Sequence, residues 1–96
     1  DTMIDMEITL EQGLKAFIFE IASQNNLAKI EAFLEGVRAY YLDAQAVTFF
    51  EYELDTSMLQ YNQLNVKITT KPTDVIEYIS VGVNITREGV SVTEEV

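Results

Sequence analysis

The sequence predicts an α+β fold, with an antiparallel or mixed sheet of about five strands and helices packed on one face. Two observations carry this prediction. Apolar residues recur at helical spacing through residues 10–43, and they alternate with polar residues through most of the chain that follows. Short turn signals separate the alternating segments, which is typical of antiparallel hairpins. We expect the 96 residues to form a single small domain over 1–96, with its elements in the order β-α-α-β-β-β-β.

An alternating segment at the start of the chain predicts a strand over residues 3–9. Its apolar side chains come at every second position, at Ile4, Met6, Ile8 and Leu10. Thr9 then stands three residues before Gln12. This spacing is typical of a capping box, in which a hydroxyl accepts a hydrogen bond from a free backbone N–H at the start of a helix. The first helix is therefore predicted to begin near residue 10.

Two helices, or one long kinked helix, are predicted between residue 10 and Asp43, and the pattern fits both. The apolar stripe of the first segment consists of Leu10, Leu14, Phe17, Ile18 and Ile21. The stripe of the second segment consists of Leu27, Ile30, Phe33, Leu34, Val37 and Tyr41. A polar run over 23–26 separates the stripes, so Asn26 is the predicted N-cap of the second helix. Gly36 costs about 1 kcal/mol relative to Ala inside that helix, and we expect close packing against a neighbour there.

The second half of the chain predicts four strands. The first starts at Ala46, and its two faces carry Thr48, Phe50, Tyr52 and Leu54 on one side and Val47, Phe49, Glu51, Glu53 and Asp55 on the other. Residues 56–63 form a predicted loop, and the next strand alternates from Leu64 to Thr70. The longest strand signal runs over 75–87, with one face made of Ile79, Val81, Val83 and Ile85.

Two turn signals predict the registers of the hairpins. The first is Pro72, within a four-residue loop over 71–74. Its predicted pairs are Val66 with Ile79 and Leu64 with Val81. The second is Glu88-Gly89, which resembles the two-residue turns that favour positive φ. Its predicted pairs are Ile85 with Val92 and Thr86 with Ser91. Both registers bring like side chains together on one face, which supports a meander.

The composition excludes several classes of site. The chain has no cysteine and no histidine, so disulfides, thiolate nucleophiles, Cys-ligated metal centres and a Ser-His-Asp triad within this chain are excluded. Its 16 acidic and 6 basic residues, a formal charge of −10, argue against direct contact with nucleic acid or anionic membranes. The sequence has no apolar run long enough to span a membrane and no secretory leader pattern, which favours the cytoplasm. We expect no cofactor.

Glu51, Glu53 and Asp55, which we call the acidic stripe, are the sharpest local feature of the sequence. Their spacing places three carboxylates on one face of a strand. Such a stripe provides oxygen ligands for Mg²⁺ or Ca²⁺, or a contact surface for a basic partner. The simpler interpretation is a solvated strand face, or a strand edge that charge protects from aggregation. Phe49 lies directly beside the stripe and favours a contact surface, because a large aromatic side chain is unusual on a purely solvated face.

Glu31 and Glu35 lie one turn apart on the second predicted helix. Two carboxylates this close serve acid–base chemistry when they are buried, because like charges raise a pKa. Arg38, three residues after Glu35, is expected to relieve the repulsion instead, so we interpret the pair as part of an exposed helix face. Glu11 and Lys15 are likewise predicted to pair across one turn of the first helix.

Aromatic and apolar residues also fall on the second face of predicted elements. Each of the pairs Phe49-Phe50 and Tyr40-Tyr41 directs one ring away from the core side, and Ile76 and Tyr78 lie opposite the apolar face of the longest strand. The partner-binding residues expected from this pattern are Phe49, Glu51, Glu53, Asp55, Ile76, Tyr78 and Tyr40. No catalytic, cofactor-binding or metal-binding residue is assigned.

The leading functional hypothesis is a non-catalytic protein–protein interaction module, either a self-associating subunit of an assembly or an inhibitor- or adaptor-type small acidic protein. Its partner is a protein, either a second copy of the chain or a basic protein, and not nucleic acid or a membrane. One alternative is an acidic mimic of nucleic acid that blocks a DNA- or RNA-binding protein. The other is a carboxylate- or Mg²⁺-dependent enzyme that uses the acidic stripe.

Overall fold

The computed structural model describes residues 1–18 and 24–95. Two helices and an antiparallel sheet of four strands confirm the α+β class, with four strands rather than five. The elements are α1 (Thr2–Leu14), α2 (Gln24–Asp43), β1 (Val47–Asp55), β2 (Leu64–Pro72), β3 (Ile79–Thr86) and β4 (Gly89–Glu95). The strands lie in chain order, so β1 and β4 form the two edges of the sheet. Single turns of 3-10 helix occur at Lys15–Phe17 and Leu59–Tyr61.

The strand predicted over residues 3–9 is wrong, because these residues form the first part of α1. The buried side chains of the helix follow helical spacing and are Met3, Met6, Leu10 and Leu14. Ile4 and Ile8, which suggested alternation, are exposed instead. Met6 and Leu10 belong to both patterns, and burial against the sheet decides in favour of the helix.

The start of α1 also differs from the predicted capping box. The Asp1 carboxylate caps the helix, since its Oδ1 accepts a hydrogen bond of 2.8 Å from the backbone N–H of Met3. Thr9 therefore lies inside the helix and caps nothing. In α2, the predicted cap Asn26 is likewise an internal residue, because that helix begins two residues earlier at Gln24. The predicted stripe residue Ile21 lies outside the described residues.

Helices α1 and α2 run antiparallel and contact each other at both ends. Tyr41 of α2 reaches Asp5 near the start of α1, and the ring of Phe33 lies against Gly13 near its end. Close packing therefore occurs at Gly13, where a Cβ atom would collide with that ring. The close packing predicted at Gly36 is wrong, because nothing lies near the position of a Cβ atom there. Helix α2 ends at Asp43, as predicted.

The alternation of β2 is confirmed, but both hairpin registers differ from the prediction. The connection from β2 to β3 covers residues 73–78, so β3 begins at Ile79 rather than Val75. The observed pairs of the first hairpin are Leu64 with Ile85, Val66 with Val83 and Thr70 with Ile79. The observed pairs of the second are Thr86 with Gly89, Ile85 with Val90 and Val83 with Val92. Each shift is an even number of residues, so the same side chains stay on the core face.

Strand β1 contains one irregularity that changes which side chains reach the core. Val47 pairs with Pro72 and Phe49 pairs with Lys71, so Thr48 is an extra residue that forms a bulge. Val47 is buried as a result, although simple alternation placed it on the outer face. Beyond the bulge, the alternation of β1 follows the prediction.

The hydrophobic core lies between the helices and the inner face of the sheet. Its fully buried large side chains come from α1, α2 and all but one of the strands, and include Met6, Leu10, Leu14, Ile30, Leu34, Phe50, Leu64, Ile68 and Ile85. Strand β4 contributes only the half-buried Val90 and Val92. The sheet therefore has one firmly packed edge, β1, and one that is lightly packed, β4.

Candidate functional sites: the outer face and the edges of the sheet

The outer face of the sheet, away from the helices, is mostly polar. Its side chains along β2, β3 and β4 include Asn65, Lys67, Thr69, Ser80, Asn84, Ser91 and Thr93. Asn84 Nδ2 donates a hydrogen bond of 2.7 Å to Asn65 Oδ1. The Glu95 side chain lies over Gly82. A broad apolar area that needs a cover is therefore not present on the described part of this face.

An aromatic pair lies near one end of the outer face, and an exposed isoleucine is close to it in sequence. The rings of Phe49 and Tyr78 meet edge to face, with 5.2 Å between their centroids. Tyr78 is 61% exposed, and Ile76, two residues earlier, is 90% exposed. We call these three residues the outer patch. The prediction placed Ile76 and Tyr78 on a strand, but both lie in the connection between β2 and β3, where the whole stretch 73–78 is exposed.

The acidic stripe lies on the outer face of β1, on the same face as Phe49, and its three side chains are exposed. Glu53 is directly opposite Lys67 on β2. The β2 partners of the other two stripe residues are uncharged. Hydrogen bonds from the backbone and side chain of Ser57 hold the pKa of Asp55 below its usual value. Among the described residues, no group of three or more acidic side chains is arranged to hold a metal ion.

Tyr40 lies apart from the other predicted contact residues, on the helical side of the molecule. Its ring is exposed and meets the ring of Tyr41 edge to face at 5.1 Å, beside a groove of about 400 Å³ between the helices. The Tyr41 hydroxyl donates a hydrogen bond of 2.5 Å to Asp5 Oδ2. Burial and this hydrogen bond raise the pKa of Tyr41 to about 12. The structure therefore brings together the outer patch and the acidic stripe, and separates Tyr40 from both.

Side chains of α2 cover part of the outer edge of β1. Arg38 Nε donates a hydrogen bond of 3.0 Å to the backbone carbonyl of Phe50. The Arg38 guanidinium lies 3.8 Å from the Glu35 carboxylate, which confirms the predicted pair. Desolvation and a hydrogen bond with Glu35 raise the pKa of Tyr52 on β1. Glu35 therefore belongs to the cover of a strand edge, and Glu31, one turn before it, is an exposed helix residue.

The edge formed by β4 lies beneath α1 and has a different environment. Burial raises the pKa of Glu7 on α1, and the adjacent carboxylate of Glu94 on β4 raises it further. Ile4, on the same helix, is 60% exposed. Sequence reasoning missed this region because it assigned residues 3–9 to a strand. The signal that identifies it is the helical spacing of the buried methionines and leucines in α1.

Comparison with known proteins gives no relative. No protein family, curated protein or solved structure matches the chain. Within the described residues, no helix has the length and apolar character needed to cross a membrane. The surfaces of the molecule are therefore the basis for a functional assignment.

Proposed function

We propose that this protein is a non-catalytic interaction module that binds a basic partner protein through the outer patch and the acidic stripe. The observation that carries the proposal is the 90% exposure of Ile76, two residues before Tyr78, whose own exposed ring packs against Phe49. Exposed apolar side chains that cluster beside an aromatic pair are typical of contact surfaces. The polar remainder of the outer face makes this cluster stand out.

The acidic stripe supports a partner of complementary charge. Successive side chains on one strand face are about 7 Å apart, so the three carboxylates form a row that extends away from Phe49. A partner with an apolar anchor and a row of Lys or Arg side chains matches both parts of the surface. The net charge of −10 also accelerates encounter with a basic protein. A second copy of the chain is a poorer match, because it brings one acidic stripe near another.

The two alternative functions have weaker structural support. An acidic mimic of nucleic acid requires carboxylates that follow a phosphate track, but the row next to the stripe on β2 includes Lys67 opposite Glu53. A Mg²⁺-dependent enzyme that uses the stripe requires its carboxylates to converge on one point. In the structure they are spread along β1 and point outward from an exposed face.

Site-specific photo-cross-linking tests the proposal. A photoreactive benzoylphenylalanine is placed at Tyr78 in one variant and at Tyr61 in a matched control, because these residues are 61% and 62% exposed. Both variants are irradiated in extract of the cells that express the protein, and the products are identified by mass spectrometry. We expect one basic protein to cross-link from position 78 and not from position 61. The partner is then purified, and its affinity is measured by calorimetry.

In that calorimetric measurement, Ile76→Ser is expected to weaken binding at least about tenfold, and Glu53→Lys at least about threefold. Equal cross-linking from both positions, or an affinity that neither substitution changes, contradicts the proposal. Light scattering of the purified protein provides a further outcome. A dimer that cross-links to itself from position 78 replaces the basic partner with a second copy of the chain.

A further inference from the structure

Strand β4 presents a regular and open backbone edge. Its seven residues pair with β3 without a shift in register. The ladder extends from Gly89, opposite Thr86, to Glu95, opposite Ser80. In an antiparallel ladder, every second residue directs its N–H and C=O groups away from the paired strand. Because β4 is last in the sheet, these groups face outward and are able to pair with another extended chain.

The other edge of the sheet is less suited to pairing. Strand β1 is interrupted by the bulge at Thr48, and Arg38 already occupies the backbone carbonyl of Phe50. A bulge and a covering side chain are two of the means by which proteins block the addition of a strand. No such contact with the backbone of β4 is made by the described side chains of α1.

Carboxylates lie on both faces of the sheet at the C-terminal end of β4. Glu94 lies on the helix side of the sheet, next to Glu7 of α1, and Glu95 lies on the outer side. Glu94 raises the pKa of Glu7 through a side-chain hydrogen bond and through charge repulsion, and within the described residues no cation forms a salt bridge with either carboxylate. Cationic side chains on an added strand relieve this repulsion while its backbone pairs with β4.

We propose that the outer edge of β4 binds an extended basic segment of a partner protein by strand addition. Two adjacent Lys or Arg residues of that segment lie opposite Glu94 and Glu95, one on each face of the enlarged sheet, because neighbouring residues of a strand point to opposite faces. The residues that follow are β-branched or small and lie opposite Val90 and Val92. The mode is main-chain recognition with charge selectivity, and its surface is separate from the outer patch.

Charge argues against a second copy of this chain as the occupant. Two copies that pair through β4 bring two acidic edges together, each with Glu94 and Glu95. The chain has 16 acidic and 6 basic residues, and β4 itself contains no Lys or Arg. A basic segment supplies the charge that β4 lacks.

Titration with a synthetic peptide tests the proposal. The probe is acetyl-Lys-Lys-Thr-Val-Thr-Val-Thr-amide, together with two versions that are N-methylated at all odd or at all even positions. Strand addition uses the N–H groups of every second residue, so one methylated version is expected to bind at least about tenfold more weakly and the other to keep its affinity. Amides of β4 in the isotope-labelled protein are expected to exchange more slowly with solvent when the unmodified peptide is present.

Two charge variants separate edge binding from general attraction. Glu94→Lys is expected to weaken peptide binding at least about fivefold, whereas Glu88→Lys, the same change of charge in the exposed hairpin turn, has less than about twofold effect. The proposal is overturned if both methylated peptides bind alike, if both charge variants bind alike, or if no β4 amide gains protection. A peptide that instead protects the amides of β1 contradicts the edge proposal and leaves the proposed function of the outer patch standing.

Discussion

The two edges of the sheet, β1 and β4, protect their unpaired backbone groups in different ways. Both are acidic and both end the ladder, but β1 is held by the core and by α2, whereas β4 is lightly packed and its backbone is open. At β1, the bulge buries Val47, and Arg38 bonds to the carbonyl of Phe50. At β4, two carboxylates, Glu7 and Glu94, face each other beside the free edge. Packing therefore protects the β1 edge, whereas the acidic side chains Glu7 and Glu94 protect the β4 edge.

The pKa shifts at the two edges reflect this difference. Hydrogen bonds to Ser57 lower the pKa of Asp55 at the end of β1, so its charged form is stabilised. Burial and Glu94 raise the pKa of Glu7 above β4, so its charged form is destabilised. The ionised carboxylate is therefore stabilised at the β1 edge and destabilised at the β4 edge. The β4 edge, where two carboxylates meet beside unpaired backbone groups, is therefore the better candidate for a cationic ligand.

Core contacts at the two edges are expected to differ most in how much they stabilise the fold. Phe50→Ala on β1 is expected to lower the free energy of unfolding by about 3–5 kcal/mol, because Phe50 is 1% exposed. Val92→Ala on β4 is expected to lower it by only about 1 kcal/mol, since Val92 is half-buried. Urea denaturation of both variants measures the difference. Equal losses contradict the view that β1 is the firmly packed edge.

The hydrogen bond between Tyr41 and Asp5 links helix α2 to helix α1. The pKa of Tyr41 is raised to about 12 in the folded protein, whereas an unfolded tyrosine titrates near about 10. The folded state holds the phenolic proton more tightly, so this stabilisation is complete below pH of about 10 and is lost as the pH rises to about 12. We expect the free energy of unfolding to fall by about 2 kcal/mol more in the wild type than in Tyr41→Phe across that window. Parallel pH profiles for the two proteins contradict this assignment.

Removal of the arginine that covers β1 makes the two edges more alike. Arg38→Leu is expected to lower the free energy of unfolding by about 1 kcal/mol, because the bond to the Phe50 carbonyl is lost. Lys15→Met is the control, since Lys15 forms an exposed pair with Glu11 at 3.9 Å, as predicted, and its loss is expected to cost less than about 0.5 kcal/mol. Thermal unfolding of both variants gives the comparison. A cost for Arg38→Leu no greater than that of the control shows that the cover contributes nothing.

The smallest expected effect is a gain of stability at the β4 edge. Because the pKa of Glu7 is raised in the folded protein, the stability linked to its proton is present at acidic pH and is lost as the pH rises through that pKa. Glu7→Gln is therefore expected to raise the free energy of unfolding by about 0.5 kcal/mol at neutral pH and to have no such effect at acidic pH. Glu11→Gln, one turn further along α1, is the control and is expected to show no gain. A gain that persists in acid argues against repulsion as its cause.

Much of the candidate surface follows from the sequence, but its boundaries do not. The period of two in β1 correctly predicts that Glu51, Glu53 and Asp55 share one exposed face with Phe49. The strand predicted to include Tyr78 is wrong, because the connection between β2 and β3 is rich in apolar residues and resembles an extension of β3. The β4 edge was not predictable, since its character depends on Glu7 of a helix that is distant in sequence.

From the sequence alone it was possible to predict the α+β class, the helix that ends at Asp43 and which side chains of β2 and β3 face the core. These properties depend on local periodicity, and they survive a shift of either hairpin by an even number of residues. Tertiary contacts determine that residues 3–9 are helical, which residues pair across the sheet and how each edge is protected. Met6 and Leu10 satisfy both the helical and the strand period, so burial against the sheet is what distinguishes a helix from a strand in this segment.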